Sequence, residues 1–220
     1  MININISIGY QNDVFYKNCN FKFPDHGIIS FVGENGSGKS TIYKTLLGMI
    51  PPVDGKVPKI ISSQSAVVSD YISIPEEISV NNLLELLGKG RTDNTRKSYP
   101  ELHDYVSNLS NQKMSRLSSG QKRCVEIYSV LASGKKVIFL DEASNGLDFK
   151  NKSLFLNQVR KLSKQDILFF HTSHDLDDVS YLAGDIYALF KDKGEIDKFT
   201  GNPDDIQDLR HFLGYGRSES

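Results

Sequence analysis

The chain has 220 residues, room for one large α/β domain with an insertion, and its 26 Lys and Arg against 27 Asp and Glu leave a net charge of −1. That balance supplies no field for nucleic acid or anionic lipid, so no nucleic-acid binding is expected. Cys19 and Cys124 lie far apart without metal-ligand spacing, no apolar run approaches a membrane span, and the start of the chain lacks the pattern of a signal peptide, so a cytoplasmic protein with no direct membrane insertion is expected.

Ile2, Ile4, Ile6 and Ile8 alternate with polar residues, and Phe21 and Phe23 repeat the pattern, which predicts an antiparallel β-layer around the turn cluster Gly9 to Asp13. Tyr10 in that turn is either a stacking platform for a base or ordinary half-buried packing. Gly27 to Val32 then reads as a strand, and Thr41 to Leu47 as a helix. Between them Gly33-Glu34-Asn35-Gly36-Ser37-Gly38-Lys39-Ser40 matches the eight-residue phosphate loop. Its glycines let backbone N–H groups turn toward phosphates, and the helix N-terminus adds its dipole. Lys39 is expected on the β and γ phosphates of a nucleoside triphosphate and Ser40 on magnesium, with Thr41 beside it among the nucleotide contacts.

Pro51-Pro52-Val53-Asp54-Gly55 ends this helix. Ile60-Ile61 and Ala66-Val67-Val68 read as extended, Pro75 to Leu87 as helical and Gly88 to Asn94 as a solvated loop. Residues 71–116 therefore read as a small helical insertion between strands of the sheet.

At Leu117-Ser118-Ser119-Gly120-Gln121 a polar turn precedes a helix, and Ser118 and Ser119 suit its N-terminus. Val137 to Leu140 is a buried strand ending in Asp141 and Glu142, which places two carboxylates at its C-terminal edge. Beside a phosphate loop, Asp141 is expected to hold magnesium and Glu142 to polarise the attacking water; a capping pair is the alternative. Asn145 to Asp148 is a tight turn before another helix, and Asp166 to Phe170 a further buried strand leading to His171 and His174. Either histidine could donate to the γ phosphate or hold the water. Ile186 to Phe190 and Lys193 to Ile196 predict a final strand and hairpin, followed by a polar tail over 203–220 with one short helix near Ile206 to Leu213. The fold class is thus α/β: a phosphate-loop NTPase core with a mostly parallel sheet, an N-terminal antiparallel layer and an inserted helical subdomain within one domain, 1–220.

Taken in order, these motifs resemble the ATP-binding cassette family, specifically the nucleotide-binding subunit of an ABC transporter, over about residues 2–202. The resemblance implies an ATPase with ATP and magnesium as ligands. It implies that Tyr10 stacks on adenine, with Tyr16 the weaker candidate, that His174 is the switch histidine, and that Asp148 communicates between two cassettes. The family pairs cassettes head to tail, so Ser118, Ser119, Gly120 and Gln121 would cover a partner cassette's ATP, the partner being an identical or a different chain. A transmembrane permease subunit is the other implied partner, which would put the chain on the inner face of the cell membrane. A soluble cassette ATPase of an assembly system, such as iron–sulfur cluster biogenesis, and a nucleotide-dependent regulator are the alternatives. Two departures stand out. Ser119 replaces a usual glycine, and the family's glutamine at the start of the insertion falls either on Gln64 or, by spacing, on Asp70.

Overall fold

A computed structural model describes residues 1–69 and 74–214. The alternating isoleucines form β1 (Ile2–Tyr10), which pairs antiparallel with β2 (Asp13–Phe23) across the turn at Gln11 and Asn12. Next come β3 (Gly27–Val32), α1 (Lys39–Leu46) and the short β4 (Asp54–Gly55), which pairs with β1 and completes a three-stranded antiparallel sheet.

The chain then forms α2 (Lys59–Ser63), β5 (Ser65–Ser69), α3 (Val80–Leu87), α4 (Lys89–Ser98) and α5 (Pro100–Ser107). A 3-10 turn at Met114–Arg116 leads into α6 (Ser119–Ala132), β6 (Val137–Asp141), α7 (Phe149–Ser163) and β7 (Leu168–Thr172). The described chain closes with α8 (Leu176–Leu182), β8 (Asp185–Phe190), β9 (Glu195–Lys198) and α9 (Ile206–Phe212). The main sheet has the order β5-β6-β7-β3-β8-β9, parallel except for the antiparallel edge strand β9.

Period-two alternation sorts the central strands onto two cores. Ile138, Leu140 and Phe169 pack with Val106, Tyr128, Phe155 and Val159 on the side of α5, α6 and α7. Phe139 and Phe170 face the other way, among Phe21, Phe23, Phe31, Ile42 and Leu46, where the antiparallel layer and α1 cover the sheet. There Phe139 stacks on Phe170 at 4.6 Å between centroids and Phe23 meets Phe170 edge-on at 5.0 Å. Because both faces are covered, these strands carry continuous apolar runs.

Two local expectations are corrected. Ile60-Ile61 is helical, as part of α2, because an apolar pair carries no period. Pro58 supplies φ −57° at the N-cap, and only Ile61 turns inward while Ile60 is exposed. The expected loop at Gly88 to Asn94 is mostly α4, a helix polar on nearly every side with only Thr95 buried. Packing against neighbouring helices overrides Gly90 and the absent period. Of the insertion expected over 71–116, residues 71–73 lie outside the described residues. From 74 onward the chain carries α3, α4, α5 and the 3-10 turn, closed at its base where the Met114 N–H donates to the Ile78 carbonyl at 2.9 Å.

Candidate nucleotide site

Parallel pairing carries the C-terminal ends of β3, β6 and β7 to one edge of the sheet, and the loop 33–40 leaves that edge for α1. Gly36 (φ 80°) and Gly38 (φ 97°) take the left-handed conformations that glycine adopts freely. A Cβ at Gly33 would sit 2.8 Å from Ser37 Oγ and 2.9 Å from the Leu189 carbonyl oxygen, so the chain passes there only without a side chain. By position the amides of Lys39 and Ser40 at the start of α1 have no intrahelical acceptors, whereas those of Thr41 and Ile42 donate to the Gly38 carbonyl, and the buried Ser37 Oγ has no hydrogen-bond partner within the described residues. Lys39 Nζ donates to the carbonyls of Gly33 at 2.8 Å and Glu34 at 3.0 Å. Burial lowers its ammonium pKa, while the carboxylates of Glu142 and Asp141 pull it back up. Unspent donors, an orphaned hydroxyl and a buried cation are what an anionic phosphate chain requires.

Asp141 ends β6 opposite Thr172, whose Oγ1 donates to Asp141 Oδ1 at 2.7 Å. Glu142 follows in a left-handed conformation (φ 48°), and its N–H donates to both the carbonyl and Oγ1 of Thr172, each at 3.2 Å. Its Oε2 accepts from Asn145 Nδ2 at 2.8 Å, and its Oε1 lies 3.5 Å from His174 Nδ1. The His174 loop is tied to α7 by Lys152, which bridges Asp175 and Asp178, while Ser144 Oγ donates to Asp178 at 2.6 Å. His171 does not share this edge. It is fully buried within β7, its Nδ1 is 3.3 Å from Ser30 Oγ, and burial pushes its pKa down to about 4.

Ser40 is exposed, and Thr41 is buried one residue further into α1. Together, one hydroxyl and one carboxylate suit a magnesium ion that takes most of its ligands from phosphate and water. Among the described residues there is no cluster of three or more metal-ligating acids, histidines or cysteines.

Tyr10 stands half-exposed at the tip of the β1–β2 hairpin, edge-on to Phe15 at 5.8 Å. Phe15 reaches the phosphate loop, since a Cβ on Gly38 would lie 3.3 Å from its ring. Tyr16 is fully buried and donates its hydroxyl to the Ser37 carbonyl, which makes it a prop under the loop. The stretch Gly33 to Ser37 also floors a cleft of about 780 Å3, walled by Leu189 to Lys193 and His211 to Gly214.

Two predicted groups make no hydrogen bond to the phosphate loop among the described residues. Ser118 caps α6 in a reciprocal box with Gln121, Ser119 is exposed and Gly120 packs on Asn151. Asp148 is the exposed N-cap of α7. Ser118 and Asp148 are joined through Asn151, and among the described residues no hydrogen bond links either group to residues 33–41. Gln64 lies at the start of β5, where its carbonyl accepts from the amides of Lys136 and Val137, about 16 Å of strand away from the edge that carries Asp141. It is at the wrong end for magnesium, and Asp70 lies outside the described residues. Thr172, Asn145 and Asn151 were not singled out by the sequence, because their importance lies in cross-strand and inter-helix pairing.

Fold and site define a phosphate-loop nucleoside triphosphatase. A sequence profile of the ABC transporter family matches residues 16–145, and the chain belongs to that family. It is 31% identical to the energy-coupling factor transporter ATP-binding protein EcfA1 of Fusobacterium nucleatum, covering 90% of this chain and 81% of that one. It is 29% identical to the molybdate import ATP-binding protein MolC of Haemophilus influenzae, over 85% and 78% of the two chains. Among solved structures it resembles cbiO1 of Clostridium perfringens, part of the ABC transporter complex cbiONQ, with a TM-score of 0.75, 21% identity and 98% and 94% coverage. A dimeric ATP-binding cassette bound to ADP and Pi gives 0.65 with 21% identity over 91% and 100%. The chain is an ABC-type ATPase, and no helix among its described residues is long and apolar enough to cross a membrane.

Proposed function

We propose that this chain hydrolyses magnesium-bound ATP to drive a substrate across a membrane through a separate transmembrane permease subunit. The observation that carries the reading is the meeting, at one sheet edge, of the phosphate loop with Asp141, Glu142 and His174. In it, the loop amides and Lys39 hold the phosphates and Tyr10 stacks on adenine. Ser40 and Asp141 hold magnesium, which neutralises charge on the phosphate oxygens. Glu142 accepts a proton from the water that attacks the γ phosphorus as the bond to ADP breaks. Asn145 fixes one oxygen of that carboxylate, and His174, with Nδ1 toward the other, has Nε2 for the phosphate.

Because Ser118 to Gln121 and Asp148 make no hydrogen bond to residues 33–41 among the described residues, the reading includes a second cassette, whose copies of those residues complete the site. The dimeric cassette with ADP and Pi supports that arrangement. Within the single domain 1–220, the insertion 71–116 is the surface for the permease; Leu86 on α3 is exposed there. The chain would then lie peripherally on the cytoplasmic face of the membrane.

The test is affinity capture of a tagged Glu142→Gln chain from native membranes, with ATP and magnesium or with EDTA. A multi-span membrane protein recovered in stoichiometric amount supports the reading. Only soluble companions would move it to an assembly or regulatory ATPase.

A further inference from the structure

The starts of α6 and α7 meet at Asn151, in the first turn of α7. Its backbone N–H donates to Asp148 Oδ1 at 2.9 Å, which is the N-cap bond of that helix. Its side chain makes two further bonds: Nδ2 donates to Asp148 Oδ2 at 2.6 Å, and Oδ1 accepts from Ser118 Oγ at 2.9 Å. Gly120 lies so close that a Cβ there would sit 2.5 Å from Asn151 Cβ. A continuous chain of bonds therefore runs from Gln121 through Ser118 and Asn151 to Asp148.

The chemistry permits one orientation of the carboxamide. An ionised Asp148 only accepts, so Nδ2 must face it; Oδ1 then faces Ser118, whose hydroxyl must donate. The bonds from Asn151 hold the Asp148 carboxyl below the ordinary aspartate range. Neither cap needs this carboxamide. Ser118 caps α6 through the Gln121 amide, and Asp148 caps α7 through a backbone N–H that any residue at 151 provides. The side chain is left over from capping, and its effect is to lock one helix start to the other.

We infer that Asn151 is a positioning residue that locks the Ser118–Gln121 turn and Asp148 into one unit, so that both engage a partner cassette's nucleotide site together. This rests on the two-cassette reading above.

The test uses the Glu142→Gln protein with ATP and magnesium, reading the lifetime of the ATP-dependent dimer after dilution beside the ATP affinity of the monomer. Asn151→Asp keeps the shape and the acceptor for Ser118 but sets a carboxylate against Asp148. An acid in the first turn suits the helix dipole, so the fold is retained, and a thermal melt checks it. Asp148→Asn alone leaves one acceptor oxygen where the carboxylate has two, so the cap bond from the Asn151 N–H is kept and the bond from Nδ2 is lost to a meeting of two amide donors. The double variant Asp148→Asn with Asn151→Asp reverses the polarity of the lost bond.

The expected result is a dimer lifetime shortened at least tenfold by Asn151→Asp, shortened also in Asp148→Asn, and longer in the double variant than in either single one, with monomer ATP affinity within twofold throughout. A parent that forms no ATP-dependent dimer would bring down the two-cassette reading and this inference with it. If the parent dimerises but Asn151→Asp matches its lifetime, or the double variant stays as short-lived as Asn151→Asp, the inference alone is overturned.

Discussion

Glu142→Gln isolates the base from everything else Glu142 does. In the folded chain Oε2 accepts from Asn145 Nδ2 at 2.8 Å and Oε1 faces His174 Nδ1 at 3.5 Å. A glutamine of the same shape keeps its carbonyl toward Asn145 and turns its amide toward the histidine ring. The left-handed backbone at φ 48° costs both side chains alike, so its strain cancels in the comparison. The side chain is 40% exposed, so folding stability changes little, by about 0.5 kcal/mol or less. What disappears is proton acceptance, which supplies about a hundred- to ten-thousand-fold in rate. That is about 3–5 kcal/mol of barrier. Single-turnover phosphate release at saturating ATP and magnesium should fall by that factor, while equilibrium ATP affinity stays within threefold. A turnover within threefold of wild type, or a loss of rate matched by equal losses of affinity and melting temperature, would refute the assignment of Glu142 as base.

Lys39→Ala removes the buried cation that bridges the loop carbonyls, and ATP affinity should fall by more than a hundredfold, about 3 kcal/mol, in a binding titration. Tyr10→Ala should weaken ATP binding by about 1–3 kcal/mol while Tyr10→Phe stays near wild type. Equal affinity in the alanine variant would return Tyr10 to packing. His171 gives a pH signature. Its folded pKa of about 4 lies below the ordinary 6.5, so the neutral ring is the folded form and stability is fully present above 6.5. Stability is lost as the pH falls from 6.5 toward 4, by up to about 3 kcal/mol over that gap of about 2.5 units. His171→Gln should flatten that part of the urea-midpoint profile between pH 7 and 4.5, and an unchanged slope would place the protonation elsewhere.

The parallel strands and the loop were legible because each is written locally. Val137 to Asp141 needs only a continuous apolar run and Gly33 to Ser40 only a spacing. Where the sequence misled, the deciding interaction was remote. α4 has no apolar stripe of its own and is held by its neighbours, and Ile60-Ile61 is too short to carry a period. By spacing alone the two histidines looked equivalent at the end of one strand, and only the family resemblance favoured His174. Pairing of Ser30 with His171 in the register puts one inside the sheet, and only His174 clears the edge. Gln64 could be placed only once β5 was known to pair in parallel with β6, because direction decides which end of a strand meets the phosphate loop.

Thr172 shows what that register adds to the chemistry. In a regular strand Asp141 and Glu142 would point to opposite faces. The left-handed turn at Glu142 breaks this alternation, and Thr172 on the neighbouring strand holds both halves of the turn. Its hydroxyl donates to Asp141 Oδ1 and accepts from the Glu142 N–H, while its carbonyl accepts from the same N–H. Thr172→Val keeps the shape of the fully buried side chain and the carbonyl bond but loses both hydroxyl bonds. At about 1 kcal/mol each the cost to folding is about 1–2 kcal/mol. Freed from its partner, the Asp141 carboxylate loses its fixed orientation, and with it the turn that aims Glu142. Turnover should fall about tenfold with ATP affinity within threefold, and Thr172→Ser, which restores the hydroxyl, should recover most of it. A valine variant destabilised as expected yet turning over at the wild-type rate would mean that the Glu142 turn is held by other contacts and that Thr172 serves the fold alone.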